Sequence, residues 1–187
     1  MLEALTAGVV QAALAMALSA DVVLVPTWCP WQATDVACHL ASDGSEDMRL
    51  VVADGCMEVY GADGAVWYSP PAMHVTCAFA QDLDDDGVQE VVALVWRRGS
   101  YGSSHPFWVE PDHDLGQHVY VMWWDGQALQ QRWTSSALHA QVAAADMDDA
   151  GTLTLTTTKG DKTRWYWDGW GFTLLEEGEQ PPTGNRS

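Results

Sequence analysis

Positive charge is scarce in this sequence, which has 8 lysines and arginines against 26 aspartates and glutamates and a formal net charge of −18. Lysine is represented only by Lys159 and Lys162. Nucleic-acid binding depends on basic stripes that neutralise phosphates and release counterions, and the sequence has no such stripe. We therefore expect no nucleic acid among the partners, and the same shortage disfavours an anionic membrane surface.

Cysteine is also sparse, and the four cysteines, Cys29, Cys38, Cys56 and Cys77, all lie in the first half of the chain. Their spacings match no zinc motif, which argues against a thiolate metal site. An even number of cysteines would allow two disulfides in an exported protein, but the sequence does not define their pairing.

A long apolar run occurs only at the amino terminus, where Leu2 to Ala20 is mostly Ala, Leu, Val and Met. Ala17-Leu18-Ser19 supplies the small residues of a signal-peptide cleavage site. No basic residue precedes the run and Glu3 has the wrong charge, so a helix that packs on the domain is the alternative. We expect a signal-like or helical segment at 1–21, export to the periplasm or the cell exterior, and no membrane span in the mature chain.

The rest of the chain contains an internal repeat. Val36–Asp43 aligns without gaps on Val75–Asp82, and Val142–Gly151 aligns on Ala78–Gly87. After each aligned stretch comes a short apolar run rich in β-branched residues, which is typical of a strand. Three copies of one β unit are therefore predicted.

Each copy ends in an Asp-Gly pair between alternating aromatic segments, which indicates a tight hairpin turn. The pairs are Asp63-Gly64, Asp125-Gly126 and Asp168-Gly169. Each copy thus consists of four antiparallel strands, and we predict an all-β domain at 22–175 followed by a polar tail at 176–187. The three repeats span about 36–73, 74–135 and 138–175.

The second copy contains an acidic loop, Asp82-Leu83-Asp84-Asp85-Asp86-Gly87-Val88-Gln89-Glu90. Calcium takes about six to eight oxygen ligands at flexible distances, so several carboxylates on one short loop suit it. The ligands that we predict for Ca²⁺ are carboxylates and one backbone carbonyl: Asp82, Asp84, Asp86, Val88 and Glu90. The alternative is a solvated acidic turn without an ion.

The corresponding loops of the other two copies have lost ligands. The first carries Ser45 and Val51, and the third carries Ala150 and Thr154, at positions where the acidic loop has carboxylates. We expect at most weak cation binding at either loop. An EF-hand is excluded because its twelfth position, an acid in that motif, is Ala93 here, and because β-type sequence flanks the loop.

In the acidic loop and the Asp-Gly hairpins, the sequence resembles the FG-GAP and VCBS repeat family of β-propeller blades, the type found in integrin α-subunit heads. The resemblance covers about three-quarters of the chain and rests on Asp82-x-Asp84-x-Asp86-Gly87-x-x-Glu90-Val91-Val92. It implies blades with a calcium loop between their first two strands, usually in extracellular binding proteins. Propellers close with about four to eight blades. Three copies therefore imply an open fan, a partial propeller, or a protomer that completes a ring by association.

The second copy is lengthened by an insertion at 97–118, and long loops on a rigid scaffold are where binding residues concentrate. The candidate contacts to a protein or glycan ligand are its basic and aromatic residues: Arg97, Arg98, Tyr101, His105, Phe107 and Trp108. The alternative is that Phe107 and Trp108 pack beneath the loop while the two arginines neutralise nearby acids.

Enzymatic interpretations have less support in the sequence. The spacing of His105, His113 and His118 fits no common zinc-ligand pattern, and Ser103 and Ser104 lack a nucleophile elbow or a partnered acid. We assign no catalytic residue and expect a calcium-stabilised β-repeat binding module. The alternatives are a structural unit that forms homo-oligomers through its exposed blades or, with less support, an accessory unit of a polysaccharide hydrolase.

Overall fold

The structure is a computed structural model, and it describes residues 25–26, 29, 32–41, 48–99 and 113–182. The described residues form twelve strands. In chain order these are β1 Thr34–Cys38, β2 Met48–Ala53, β3 Cys56–Gly61, β4 Gly64–Tyr68, β5 His74–Gln81, β6 Glu90–Arg98, β7 Leu115–Trp124, β8 Leu129–Thr134, β9 Val142–Met147, β10 Leu153–Thr157, β11 Lys162–Trp167 and β12 Phe172–Leu175.

Three consecutive groups of strands form three separate sheets of four strands each. The first sheet is β1-β2-β3-β4, the second is β5-β6-β7-β8 and the third is β9-β10-β11-β12. Every neighbouring pair is antiparallel. The all-β prediction of three four-stranded antiparallel units is therefore confirmed.

The apolar segment at 1–21 lies outside the described residues, as do residues 42–47, which contain the acidic positions of the first repeat. Within the described ranges, no helix has the length and apolarity needed to cross a membrane.

The second sheet lies between the other two, and its sequence reflects that position. The run from Glu90 to Trp96 in β6 is buried throughout, whereas β2 alternates between buried and more exposed positions. A strand covered on both faces needs a continuous apolar run, and a strand covered on one face needs alternation. The unusually apolar β6 thus marks the central sheet.

The alternating side chains of β6 build two cores, one on each face of the second sheet. Val91, Ala93 and Val95 pack against the first sheet in a cluster that includes Leu50 and Val59. Val92 and Leu94 pack against the third sheet with Leu153, Leu155 and Trp167. Burial of a valine or leucine side chain contributes about 1.5–3 kcal/mol, so these two cores hold the three sheets together.

The outer faces of the first and third sheets carry charged and hydroxyl side chains. On the first sheet Arg49 pairs with Asp35 at 3.4 Å and lies 5.0 Å from the ring centroid of Tyr60. On the third sheet Thr154 lies between the core residues Leu153 and Leu155 along β10 and pairs with Arg164 across the outer face. The stack thus begins and ends on faces that water can solvate.

The cysteines form no disulfide, although all four lie in the described residues. Burial raises the pKa of the Cys38 thiol to about 11 and that of Cys77 to about 12. The Cys29 Sγ accepts a hydrogen bond from Trp96 Nε1 at 3.1 Å. The two disulfides that export would allow are therefore not present in this structure.

Candidate metal centre

The acidic loop joins β5 to β6 at one end of the second sheet. Two of its residues take the left-handed backbone conformation, with φ of 61° at Asp85 and 88° at Gly87. Glycine adopts this conformation without steric cost, and aspartate is among the few other residues that tolerate it. These two positions turn the chain sharply enough for the alternate carboxylates to face one another.

Asp82, Asp84 and Asp86 form a compact group in the acidic loop. Each offers one carboxylate oxygen, and the three oxygens lie within 4.8 Å of one another. Asp82 and Asp84 are partly buried, whereas Asp86 is exposed. Within the described part of the chain, no other group of three or more acidic, histidine or cysteine side chains has its ligand atoms within this distance of one another. Three of the five predicted calcium ligands are thus brought together.

Backbone hydrogen bonds shape this group. The two carboxylate oxygens of Asp82 accept hydrogen bonds from the Asp86 N–H at 3.2 Å and the Gly87 N–H at 2.9 Å. Asp86 Oδ1 accepts the Val88 N–H at 2.8 Å. These bonds fix two of the three carboxylates to the loop and partly offset their mutual repulsion.

Asp84 carries the oxygen that best fits a bound cation. Its Oδ2 accepts a hydrogen bond from Arg132 Nη2 at 2.8 Å. Its Oδ1 is buried and has no hydrogen-bond partner. A buried polar atom left without a partner costs about 1–3 kcal/mol, and more when it is charged. A hard divalent cation among three carboxylates would satisfy this oxygen, so the donor set could hold such an ion.

Glu90, the predicted closing ligand, is almost fully buried and is engaged by protein groups. Its Oε2 accepts the Leu83 N–H at 3.1 Å, and its Oε1 contacts the guanidinium of Arg132. The pKa of Glu90 is raised above its ordinary value, chiefly by burial and also by the negative charge of Asp84. The hydrogen bond from Leu83 and the positive charge of Arg132 act in the opposite direction. The metal-ligand roles of Glu90 and of the Val88 carbonyl stay predictions.

Arg132 is the functional neighbour that sequence reasoning missed. Val121 pairs with Trp133 and Met122 with Gln131, so Arg132 is the extra residue of a bulge in β8. A bulge redirects the side chain of its extra residue. Its guanidinium contacts Asp84 and Glu90 and lies 5.6 Å from the ring centroid of Trp167 in the third sheet. Nothing in the local sequence around Arg132 indicates this contact.

The acidic loop connects to all three sheets. Gln89 exchanges two hydrogen bonds with His39, which follows β1: its N–H donates to the His39 carbonyl at 2.8 Å, and its Oε1 accepts the His39 N–H at 2.7 Å. Leu83 is fully buried in the core between the second and third sheets. The loop is thus tied to the first sheet by hydrogen bonds and to the third sheet by packing.

The loop of the third repeat has a different geometry. Asp148 Oδ1 accepts the backbone N–H groups of Ala150 at 3.0 Å and Thr152 at 2.8 Å. Asp146, the counterpart of Asp82, is exposed. This loop is a hydrogen-bonded turn, and its carboxylates form no three-membered group like that of the acidic loop. Its expected weak cation binding stays a prediction.

The two arginines predicted to bind a ligand lie at the base of the insertion. Arg97 contacts the Tyr120 hydroxyl and donates from Nε to the Gly99 carbonyl at 3.1 Å. Arg98 is exposed and donates to the His113 carbonyl at 3.3 Å. Of these two arginines, Arg97 is thus engaged by groups at the base of the insertion. The other four, Tyr101, His105, Phe107 and Trp108, lie outside the described residues.

Two of the three histidines of the insertion lie in the described residues, and neither belongs to a group of possible metal ligands there. His118 is buried in β7, and its Nδ1 lies 3.0 Å from the carbonyl oxygen of Ser135. His113 is exposed at the base of the insertion, and His105 lies outside the described residues. The described geometry therefore adds no support for a zinc site here.

Comparisons with known proteins found no matching family model, no matching curated protein and no matching solved structure. The likeness to FG-GAP and VCBS blades therefore stays a prediction from the sequence, and the function has to be argued from the chain itself.

Proposed function

We propose that this chain is a calcium-stabilised β-repeat binding module of an exported protein. The acidic loop is its cation site, and the connection between β6 and β7, within the insertion at 97–118, is the surface that contacts a protein or glycan partner. The observation that carries the proposal is the group of Asp82, Asp84 and Asp86, whose oxygens lie within 4.8 Å of one another. The buried Asp84 Oδ1 without a hydrogen-bond partner supports it further.

The chemistry of the donor set favours calcium over magnesium. Carboxylates on a short loop can adopt the irregular, high-coordination arrangements that calcium accepts. Magnesium requires near-ideal octahedral geometry and releases its water reluctantly, which a loop with two left-handed residues and fixed hydrogen bonds does not suit. In this proposal Asp82, Asp84 and Asp86 hold the ion, with the Val88 carbonyl and Glu90 completing the set.

A structural role for the ion is favoured by the contacts of the acidic loop. The loop bonds to His39 beside the first sheet and buries Leu83 against the third. An ion that binds only the folded loop stabilises the folded state by mass action. Calcium here would therefore strengthen the packing of all three sheets.

The insertion is a suitable binding element because its base is well anchored. Gly99 N–H donates to the Asp114 carbonyl at 3.0 Å, which closes the two strands on which the insertion begins and ends. Arg98 is exposed beside this closure and offers a cation to an acidic group of a partner. Rigid anchoring of a variable loop is the usual arrangement of binding sites on β scaffolds.

Self-assembly into a closed ring has less support than partner binding. Ring closure would stack the outer face of the third sheet of one copy on the outer face of the first sheet of another. These faces carry Thr154 and Arg164 on one side and the Arg49–Asp35 pair on the other. Both faces of the second sheet are apolar by contrast, so the end sheets resemble solvated caps of a repeat stack.

Thermal melts of the full chain, with calcium and with chelator, test the cation site. The informative variant is Asp86→Asn, which removes a charge but keeps the oxygen that accepts the Val88 N–H. Calcium at about 100 times its dissociation constant stabilises a protein by about 2.7 kcal/mol. For a chain of this size we expect a rise of roughly 5–10 °C, because each kcal/mol shifts the midpoint by about 2–4 °C.

Asp85→Asn is the matched control. Asp85 precedes Asp86 in the chain and is exposed, so the variant removes the same charge from a side chain outside the group of three carboxylates. We expect the control to keep the calcium-dependent rise and Asp86→Asn to lose most of it. Magnesium at the same concentration should not reproduce the rise. An equal response of the two variants, or no response of the unmodified chain, would show that the acidic loop is a solvated turn.

A further inference from the structure

A second candidate site lies between two of the sheets. It is a cavity of about 440 Å³ between the second and third sheets. Its roof is the linker at 135–141, which joins β8 to β9. Cavities of about 300–1,000 Å³ are the size that small ligands occupy.

Aromatic side chains form much of the wall of this cavity. Trp133 and Phe172 line it and meet edge to face, with ring centroids 5.9 Å apart. Trp165 also lines it and is held in place by a 2.9 Å hydrogen bond from its Nε1 to Thr163 Oγ1. Aliphatic side chains such as Val142 and Leu155 complete the surface. Such walls offer dispersion contacts and ring faces rather than polar recognition.

The cavity contains no strong charge, although the chain as a whole is highly acidic. Among the described residues, no aspartate, glutamate, lysine or arginine lines it. The only histidine among the lining residues that the structure describes is His139, which is exposed. A charged ligand entering such a space would lose hydration without gaining a counter-charge. The lining therefore selects a neutral molecule.

Hydrogen bonds fix the position of the linker at 135–141 over the cavity. Leu138 N–H donates to the Gln117 carbonyl at 2.8 Å, and Ser135 N–H donates to the Val119 carbonyl at 2.9 Å. The buried Gln117 side chain bonds both the N–H and the carbonyl of Val142, at 2.6 Å and 2.8 Å. The linker is thus attached to β7 at its start and its end. The cavity is preformed, so a ligand does not have to order its own site.

From this volume, aromatic lining, absence of charge and fixed roof, we infer that the cavity between the second and third sheets binds a neutral, flat apolar small molecule. The described residues that line this cavity include none of the ligands of the proposed calcium site. Ligand binding here should therefore persist in chelator, and failure of either proposal leaves the other intact.

The test is a fluorescence titration of the full chain with phenyl-naphthylamine, a neutral aromatic probe. Its sulfonated analogue, anilinonaphthalene sulfonate, has the same rings with one negative charge. Both titrations are run in about 1 M NaCl, where the screening length is about 3 Å, so that the overall charge of the chain does not decide the result. We expect one saturable site for the neutral probe and at least tenfold weaker binding of the sulfonate.

Two filling variants locate the site. Val142→Phe enlarges a buried wall residue, and Ala140→Trp enlarges an exposed residue at the mouth that folding tolerates more easily. Ala144→Phe is the control, because Ala144 is exposed on the same strand and does not line the cavity. The filling variants should weaken the neutral probe at least tenfold, and the control should not.

Three results would overturn the inference: no saturable binding of the neutral probe, equal binding of the sulfonate, or unchanged binding in both filling variants. If Val142→Phe does not fold, Ala140→Trp alone decides the outcome against Ala144→Phe. A thermal melt of each variant establishes which of them are folded.

Discussion

At the scale of single residues, Arg132 determines how the acidic loop behaves without an ion. Its guanidinium bonds Asp84 at 2.8 Å and contacts Glu90, which is 5% exposed. A nearly buried carboxylate needs a partner, since an unpaired buried charge is strongly destabilising. Arg132 supplies that partner and at the same time reduces the negative charge available to a cation. It therefore stabilises the loop when no cation is bound, and under the proposed function it would compete with a cation for the same carboxylates.

Arg132→Gln should separate these two effects. Without calcium we expect a loss of about 1–3 kcal/mol in the free energy of unfolding, less than for a fully buried pair because Arg132 is partly exposed. With calcium we expect a larger gain in stability than the unmodified chain shows, because the competing positive charge is gone. Urea unfolding with calcium and with chelator measures both values.

Arg164→Gln is the control for Arg132→Gln, since it removes the same charge from the outer face of the third sheet. It should leave the calcium-dependent gain unchanged. A calcium-dependent gain in Arg132→Gln that is equal to or smaller than that of the unmodified chain would contradict the competition between Arg132 and the ion.

The sequence predicts the carboxylate group but not its partner. Asp82, Asp84 and Asp86 alternate within one short loop, so local geometry alone brings their oxygens together. Arg132 lies far along the chain, and its position depends on a bulge and on the register of β7 and β8. No local pattern encodes that register, and for this reason the engagement of Glu90 could not be foreseen.

At the scale of elements, the Asp-Gly hairpins of the second and third sheets share one hydrogen-bond pattern. Asp125 Oδ1 accepts the Gln127 and Ala128 N–H groups, each at 2.8 Å. Asp168 Oδ1 accepts the Trp170 N–H at 2.9 Å and the Gly171 N–H at 3.0 Å. An aspartate that caps its own turn in this way fixes the hairpin register. These turns were predictable because their chemistry is local.

The pH dependence of the Asp168 hairpin follows from these bonds. The Thr173 hydroxyl, and then the Trp170 N–H, lower the pKa of Asp168 by favouring its charged form. The pKa of Asp168 is therefore lower in the folded chain than in the unfolded chain. The stability that the charged Asp168 contributes is present above the ordinary aspartate pKa, and it is lost as pH falls through the lowered value.

Asp168→Asn should therefore be less stable than the unmodified chain at neutral pH, and the difference should shrink below about pH 4. Urea unfolding across a pH series measures this, with Asp149→Asn, an exposed aspartate in the β9–β10 turn, as the control. A stability difference that stays constant with pH would contradict an electrostatic role for Asp168.

At the scale of the whole molecule, the hydrophobic pattern encodes which sheet is central. The continuous burial of β6 and the alternation of β2 follow from apolar runs visible in the sequence. The cavity beneath the linker at 135–141 was not predictable, because it depends on how two sheets and a connection fit together. The likeness to propeller blades predicts an open fan or partial propeller of three blades, and the described residues form three separate four-stranded antiparallel sheets.

The central claim is that an ion in the acidic loop stabilises the whole stack and not the loop alone. Hydrogen exchange of backbone amides, read by mass spectrometry with calcium and with chelator, measures this in each sheet separately. Amide protection reports the free energy of local and global opening. Calcium should protect the acidic loop and, through Gln89–His39 and the packing of Leu83, the strands of the first and third sheets.

In Asp86→Asn the calcium-dependent protection should disappear from all three sheets together. The account is contradicted if calcium leaves exchange unchanged everywhere, which would mean that the loop holds no ion. It is also contradicted if protection is confined to residues 82–90, which would make the loop a local cation turn without influence on the stack.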